Sequence, residues 1–198
     1  MILSPIKIAI TGTHSSGKTT FLKNLEQELS GTGLRIQKIG DFARRAQGLG
    51  FPILTQHTYE STLWIMAECL RCEAEASLEN DVILVDRPVV DAFGYLQAAL
   101  QLSGRAIGSK RSDELLTIVK AHTPDYDVLI RTALDASIEL GGGRDSDGEF
   151  RVAAASAIER LVNQIEANAL ILTSANRDEQ LQRVVGIVRS RLLAGRQQ

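Results

Sequence analysis

Only two cysteines, Cys69 and Cys72, occur in the 198 residues, and they lie three apart inside a helical pattern. A zinc site would need further cysteine or histidine ligands nearby, and a redox pair of this spacing opens a helix instead of lying within one. Both are therefore read as reduced, buried or half-buried thiols. An excess of charge is missing too: 22 Lys and Arg against 24 Asp and Glu leave a formal charge of −2. That balance gives no electrostatic footprint for duplex DNA or an anionic membrane. No apolar run approaches membrane-spanning length, and Met1-Ile2-Leu3-Ser4-Pro5 is too short for a signal peptide. A cytoplasmic location is expected, with neither nucleic acid nor membrane as a partner. Repeats, low-complexity tracts and a dividing linker are also absent. The 44% hydrophobic and 23% charged content is ordinary for one globular domain over residues 1–198.

What is there is sharply patterned. Gly12-Thr13-His14-Ser15-Ser16-Gly17-Lys18-Thr19 fits G-x-x-x-x-G-K-[ST], the phosphate-binding P-loop. Lys7–Thr11 before it is a short β-branched run, and Thr20–Leu29 after it has Phe21, Leu22, Leu25 and Leu29 at helical spacing. A strand, a glycine-rich turn and a helix N-terminus bring several backbone N–H groups around a polyphosphate. Lys18 is expected to reach the β- and γ-phosphates, and the Thr19 hydroxyl to bind Mg²⁺. Gly12, Thr13, His14, Ser15, Ser16, Gly17, Lys18, Thr19 and Thr20 form the expected ATP-binding cradle.

Five β-rich segments alternate with helical ones: Lys7–Thr11, Arg35–Ile39, Val82–Asp86, Asp127–Arg131 and Ala169–Thr173. Tyr59, Leu63, Met66 and Leu70 mark a helix beginning near Gln56. Val89, Phe93, Leu96 and Leu100 repeat the stripe, as do Leu181, Val184, Val188 and Leu192. Such alternation predicts an α/β three-layer P-loop NTPase fold with a five-stranded parallel sheet in the order 2-3-1-4-5. The glycine-rich segment at about 140–150 leads into a helix from Glu149 to Ala167. It is expected to be a small lid carrying Arg144 and Arg151 toward the phosphates; a plain connection is the alternative.

The third strand ends in Asp86, an acid placed to hold Mg²⁺, followed at once by Arg87. The second ends in Asp41, followed by Arg44 and Arg45. Asp41 is expected to accept the proton of an attacking hydroxyl or to N-cap Phe42–Gln47, and Arg44 or Arg45 to grip an acceptor phosphate. Asp86 competes with Asp41 as the base. Trp64, with Tyr59, Glu60 and Glu68 on one helix, either lines an acceptor pocket or belongs to the helix core. Asp91, four residues after Arg87, either bridges to it or faces the acceptor. Arg131 is a candidate for stacking on adenine, and Ser174-Ala175-Asn176 for its edge. His57 and His122 have no evident partners.

Taken in order, the pieces at 12–20, Asp41-Phe-Ala-Arg44, Glu68, Asp86-Arg87-Pro-Val-Val-Asp91-Ala-Phe-Gly-Tyr-Leu and Gly143-Arg144-Asp-Ser-Asp-Gly-Glu-Phe-Arg151 resemble a P-loop kinase-like family. This AAA-type ATPase/kinase-like group includes the ribosylnicotinamide kinase domain of bifunctional NAD-synthesis regulators and is similar to other nucleoside and nucleotide kinases. The resemblance implies ATP and Mg²⁺ as donor, the Asp-Arg pair at the reaction centre and lid arginines on the phosphates. It departs at Asp41, where the family more often has Glu. Nothing resembles an adenylyltransferase or DNA-binding domain, so the kinase part alone carries over. The expected activity is transfer of the γ-phosphoryl of ATP to a small nucleoside- or nucleotide-like acceptor. The alternative is a nucleotide-dependent ATPase or regulatory switch acting on a protein partner. A homodimer is compatible with either.

Overall fold

The computed structural model describes residues 4–14, 16–134 and 148–195. Its strands are β1 (Ile6–Thr11), β2 (Ile36–Ile39), β3 (Val82–Asp86), β4 (Val128–Thr132) and β5 (Ala169–Leu172). All pair in parallel, in the order β2-β3-β1-β4-β5. The helices are α1 (Lys18–Leu29), α2 (Phe42–Gly48), α3 (Tyr59–Ala76), α4 (Val89–Ser103), α5 (Ser109–His122), α6 (Gly148–Gln164) and α7 (Arg177–Gly195). The strand order matches the one expected from the β/α alternation.

The central strand β1 explains the three layers. Ile6, Ile8 and Ile10 project to one face and pack with Phe21, Leu22 and Leu25 of α1 and Val184 and Val188 of α7. Ala9 projects to the other, where Ile83, Val85 and Leu129 meet α2 to α6 through residues such as Phe42, Met66, Phe93, Leu115 and Phe150. A parallel strand buried on both faces must be apolar at every position, which removes the alternation a half-exposed strand would show. Because every strand runs the same way, the C-terminal ends of β1, β2, β3 and β4 open on one edge of the sheet, and the phosphate-binding loop leaves β1 there.

Two expectations about helices change. The stripe expected on α3 was Tyr59, Leu63, Met66 and Leu70, but its buried face runs through Thr62, Ile65, Met66, Cys69, Glu73 and Ala76, with Leu63 at the surface. Polar residues on that face are buried because they are paired: Glu73 accepts hydrogen bonds from Tyr126 (2.6 Å) and Lys7 (3.3 Å). Hydropathy alone gave the right period and the wrong phase. Helix α5 was not marked at all, since Leu115 and Val119 are its only buried residues. The expected lid over 140–150 lies outside the described residues up to Gly148, from which point the chain is already helix α6.

Helices α4 and α6 touch most closely at Gly94. A Cβ there would lie 2.5 Å from Ile158 Cγ1 and 3.3 Å from the Ile158 backbone. Forcing one methyl into such a contact costs about 1–3 kcal/mol. Gly94→Ala should lower the urea midpoint accordingly at an unchanged m-value, and Ile158→Ala, which removes Cγ1, should cost less in that background than in wild type. An unaltered midpoint would show that the two helices separate freely.

Candidate active site

The phosphate-binding loop is held from three sides. Gly12 has φ 136°, and a Cβ on it would fall 1.9 Å from Thr132 Oγ1, so only glycine lets the end of β4 approach. The buried Thr132 hydroxyl donates to Ser16 Oγ (2.8 Å) and lies 3.2 Å from the Thr11 carbonyl. Ser16 in turn donates to the Thr13 carbonyl (2.8 Å). Gly17, left-handed at φ 81°, ends the loop as the N-cap of α1, and no side chain caps the helix. Its first-turn N–H groups and the positive end of its dipole therefore face the crevice, which is the arrangement that takes phosphate. Lys18 is buried, with its ammonium on the Thr13 carbonyl and Ser16 Oγ.

At the end of β3, Thr19 Oγ1 donates to Asp86 Oδ2 at 3.1 Å. A hydroxyl and a carboxylate oxygen this close, at a phosphate loop, fit Mg²⁺, which takes one or two protein oxygens and completes its shell with water and phosphate. No cluster of three or more acidic, histidine or cysteine side chains that could form an all-protein cage exists among the described residues. Arg87 follows in a left-handed conformation (φ 70°). Its backbone N–H bonds the Ile10 carbonyl (3.1 Å), and its Nη1 donates to the Gly12 carbonyl (3.2 Å) and to Tyr95 Oη (2.8 Å). Tyr95 also accepts the backbone N–H of His14 (2.9 Å).

Asp91, one turn before Tyr95 on α4, is 3% exposed. Its Oδ1 accepts the Thr11 hydroxyl (2.9 Å) and the Gly12 N–H (3.0 Å), while Oδ2 has no hydrogen-bond partner. Burial raises this carboxyl to about 6, against the pull of Arg87 and Lys18. Beside it opens a cavity of about 130 Å³, lined by His14, Arg87, Asp91 and Tyr95 on the phosphate side and by Phe42, Leu54, His57 and Ile65 opposite. Burial holds the His57 imidazole neutral, lowering it to about 4, and its Nδ1 lies 2.9 Å from the Leu54 carbonyl.

A family model described as an AAA domain matches residues 7–180, from the start of β1 into α7. The chain belongs to the AAA domain family. No curated protein shows a significant match. Solved structures with a similar fold include NadR protein in complex with NR, with a TM-score of 0.63 and 11% identity over 87% of this chain and 46% of that one. Another is NadR protein in complex with NAD and AMP-PNP, at 0.60 and 9%, covering 85% and 44%. A third is deoxyadenosine kinase from M. mycoides with products dCMP and a flexible dCDP bound, at 0.59 and 14%, covering 93% and 100%. This chain spans about half the length of the NadR chains. At these identities the likeness is one of fold. Among the described residues, no helix is long and apolar enough to cross a membrane.

Within this AAA domain, several expected site residues stand elsewhere. Arg45 pairs with Glu68, and Arg71 holds the same carboxylate through Nε and Nη2, both at 2.8 Å. Hydrogen bonds from Arg71 keep Glu68 below the usual carboxylate range. These groups clamp α2 to α3 instead of lining the cavity. Trp64 packs against Phe51 at 5.6 Å between ring centroids, which favours the helix-core alternative. Arg131 points toward α6, in an ion pair with Glu159 at 2.8 Å, and not into the crevice as a base-stacking residue would. Asp41 occupies the N-cap position of α2 but makes no side-chain capping bond; it is exposed, with φ 60°. Arg44 is exposed. Arg151 is 6% exposed in the first turn of α6. Ser15 and Arg144 lie outside the described residues.

The sequence reading missed Tyr95, Thr11 and Thr132 as parts of the site. Tyr95 had a signal, since it lies four residues after Asp91 on one helix face. Thr132 had none, because its role depends on β4 lying beside β1.

Asp91 and His57 give the stability curve opposing slopes. Between about pH 4 and 6 the folded chain keeps a proton on Asp91 that the unfolded chain has released, so this group makes stability fall as pH rises. Over the same window the unfolded chain keeps a proton on His57 that the folded chain has released, so that group makes stability rise. Asp91→Asn removes the falling contribution and keeps the oxygen that accepts from Thr11 and Gly12. Denaturant midpoints of the variant should therefore climb more steeply than wild type from about pH 4.5 to 6. Parallel curves would mean that Asp91 titrates as it does in the unfolded chain.

Proposed function

We propose that this chain is a P-loop kinase that transfers the γ-phosphoryl of Mg·ATP to the hydroxyl of a small, uncharged, nucleoside-like acceptor. The observation that carries this reading is the cavity beside Asp91, whose wall is shared with the phosphate loop through His14 and Arg87. A second compartment opening onto the phosphate site suits a reaction between two molecules, whereas a nucleotide switch needs only the first. The wall opposite the phosphates is Phe42, Ala43, Leu54 and Ile65, and Arg45 is committed to Glu68. Among the described residues that wall offers no cation for an acceptor phosphate, which favours a nucleoside over a nucleotide. Among proteins of similar fold, one is a deoxyadenosine kinase and another is a protein in complex with NR.

The roles follow from position. Thr19 and Asp86 hold Mg²⁺, which neutralises phosphate charge when bound. With Asp86 so engaged and Asp91 tied through Oδ1 to Thr11 and Gly12, the acceptor proton is assigned to Asp41. It sits at the end of β2, and Gly40 before it comes within contact of Asp86, since a Cβ there would lie 3.0 Å from Asp86 Cβ. Asp41 and Arg87 are both left-handed non-glycine residues, at the ends of adjacent strands. Such conformations cost about 1–3 kcal/mol each and concentrate at functional sites. The acceptor oxygen attacks the γ-phosphorus, its proton passes to Asp41, and ADP leaves with its β-phosphate on the α1 N-terminus. Lys18 and Arg87 offset charge on the moving phosphoryl group. Bonds to Gly12 and Tyr95 fix the Arg87 guanidinium beforehand, so little reorganisation is needed at the moment of transfer. Arg144 and Arg151 remain proposed phosphate contacts from the segment before and within α6.

Incubation with Mg·ATP and a pool of nucleosides, nucleotides and ribosylnicotinamide should give one product heavier by a phosphoryl group, absent with Lys18→Ala. Arg87→Ala should lower kcat about 10³–10⁵-fold, the range for loss of a transition-state arginine, while ATP affinity changes only a few-fold. Equal losses in both would remove the transition-state role. Slow hydrolysis indifferent to every acceptor would favour the regulatory ATPase.

A further inference from the structure

The turn after β5 is built to present Arg177 to the phosphate loop. Asn176, a candidate for reading the adenine edge, is occupied with the turn itself. Its Oδ1 accepts the Thr173 N–H (2.8 Å), its Nδ2 donates to the Ile171 carbonyl (2.9 Å), and its backbone N–H donates to Thr173 Oγ1 (3.2 Å). Its carbonyl accepts the Gln180 N–H (2.9 Å), which starts α7. The next residue, Arg177, reaches back across the sheet edge to α1. Its Nη2 and Cζ lie 2.7 and 3.5 Å from the point a Cβ on Gly17 would occupy. Gly17 is the N-cap of α1, where the uncapped N–H groups gather.

Among the described residues this guanidinium pairs with no anion, and its Nε is buried without a hydrogen-bond partner. Its neighbours Asp178 and Glu179 are exposed. One turn on, Gln180 is 7% exposed and its Oε1 also lacks a donor. Arg177 is half-buried, and a cation held beside a helix N-terminus is unfavourable until an anion arrives, because the helix dipole opposes its charge. The sheet order says which part of a polyphosphate it meets. Arg87 comes from β3 on one side of β1, whereas Arg177 follows β5, two strands away on the other side. The two arginines flank the loop, with the acceptor cavity on the Arg87 side.

We propose that Arg177 binds the non-transferred phosphates of the donor nucleoside triphosphate, gripping its α- and β-phosphate oxygens from the flank opposite Arg87. It is then a residue of nucleotide affinity and not of the chemical step. The proposal rests on the nucleotide-binding part of the function above, and not on the identity of the acceptor.

The test is calorimetric titration of ADP and ATP into wild type, Arg177→Lys and Arg177→Gln, with unfolding curves of each protein without nucleotide. A charge-assisted hydrogen bond is worth about 1.5–3 kcal/mol, so Arg177→Gln should weaken both ligands about 10- to 100-fold. Arg177→Lys should weaken them less, keeping the charge and losing the fork. Both variants should be at least as stable as wild type without nucleotide, since a buried unpaired donor is gone, and should gain less stability on adding ADP. With an acceptor in hand, KM for ATP should rise while kcat stays within about threefold. Unchanged ADP affinity would overturn the proposal, as would a fall in kcat at constant KM, or loss of stability in both variants without nucleotide. Wild type that binds ADP but phosphorylates nothing would refute the kinase reading and leave the titrations to decide Arg177. Wild type that binds no nucleotide would refute both.

Discussion

The two hydrogen bonds that Asp91 accepts from Thr11 and Gly12 join α4 to the point where β1 becomes the phosphate loop, and the rest of the site is arranged around that join. They fix the loop's first turn from below, as Thr132 does from the side. They also set the rotation of α4, which places Tyr95 one turn later under Arg87 and the His14 N–H. A carboxylate at this depth is costly, as its raised titration shows. The cost is offset by Arg87 and Lys18, the cations that the proposed chemistry requires on the same spot.

This arrangement makes the site a property of one sheet edge. Asp41, Asp86 and Arg87, the phosphate loop, Thr132 and Arg177 follow five different strands, and parallel pairing alone brings their ends together. Close approach is purchased at a few small residues: Gly12 against Thr132, Gly40 against Asp86, Gly94 against Ile158. Each marks a place where a side chain would push a layer away from the crevice.

Much of this was legible in advance. The P-loop, the Asp86-Arg87 pair and the strand order were read from local signals: a fixed spacing of glycines and lysine, an apolar run ending in an acid, and regular β/α alternation. Reading failed where a charged side chain had a choice of partner. Arg45, Glu68 and Arg131 carry the residue types of a phosphate or base contact, and nothing in the sequence says that Glu68 meets two arginines or that Arg131 meets Glu159. The α3 stripe failed for a related reason, because Glu73 is buried by virtue of partners distant in sequence.

By itself the sequence determined the fold class and the place of the phosphate site, because both depend on backbone conformation and hydrophobic period over short stretches. The tertiary structure decided which ionisable side chains face the crevice and which cancel one another between helices. It brought Thr132, Tyr95 and Arg177 to a loop that lies far from each of them along the chain. The physical reason is that a side chain's electrostatic role is set by what lies within a few ångströms of it, and in a parallel sheet those neighbours come from strands and helices remote in sequence.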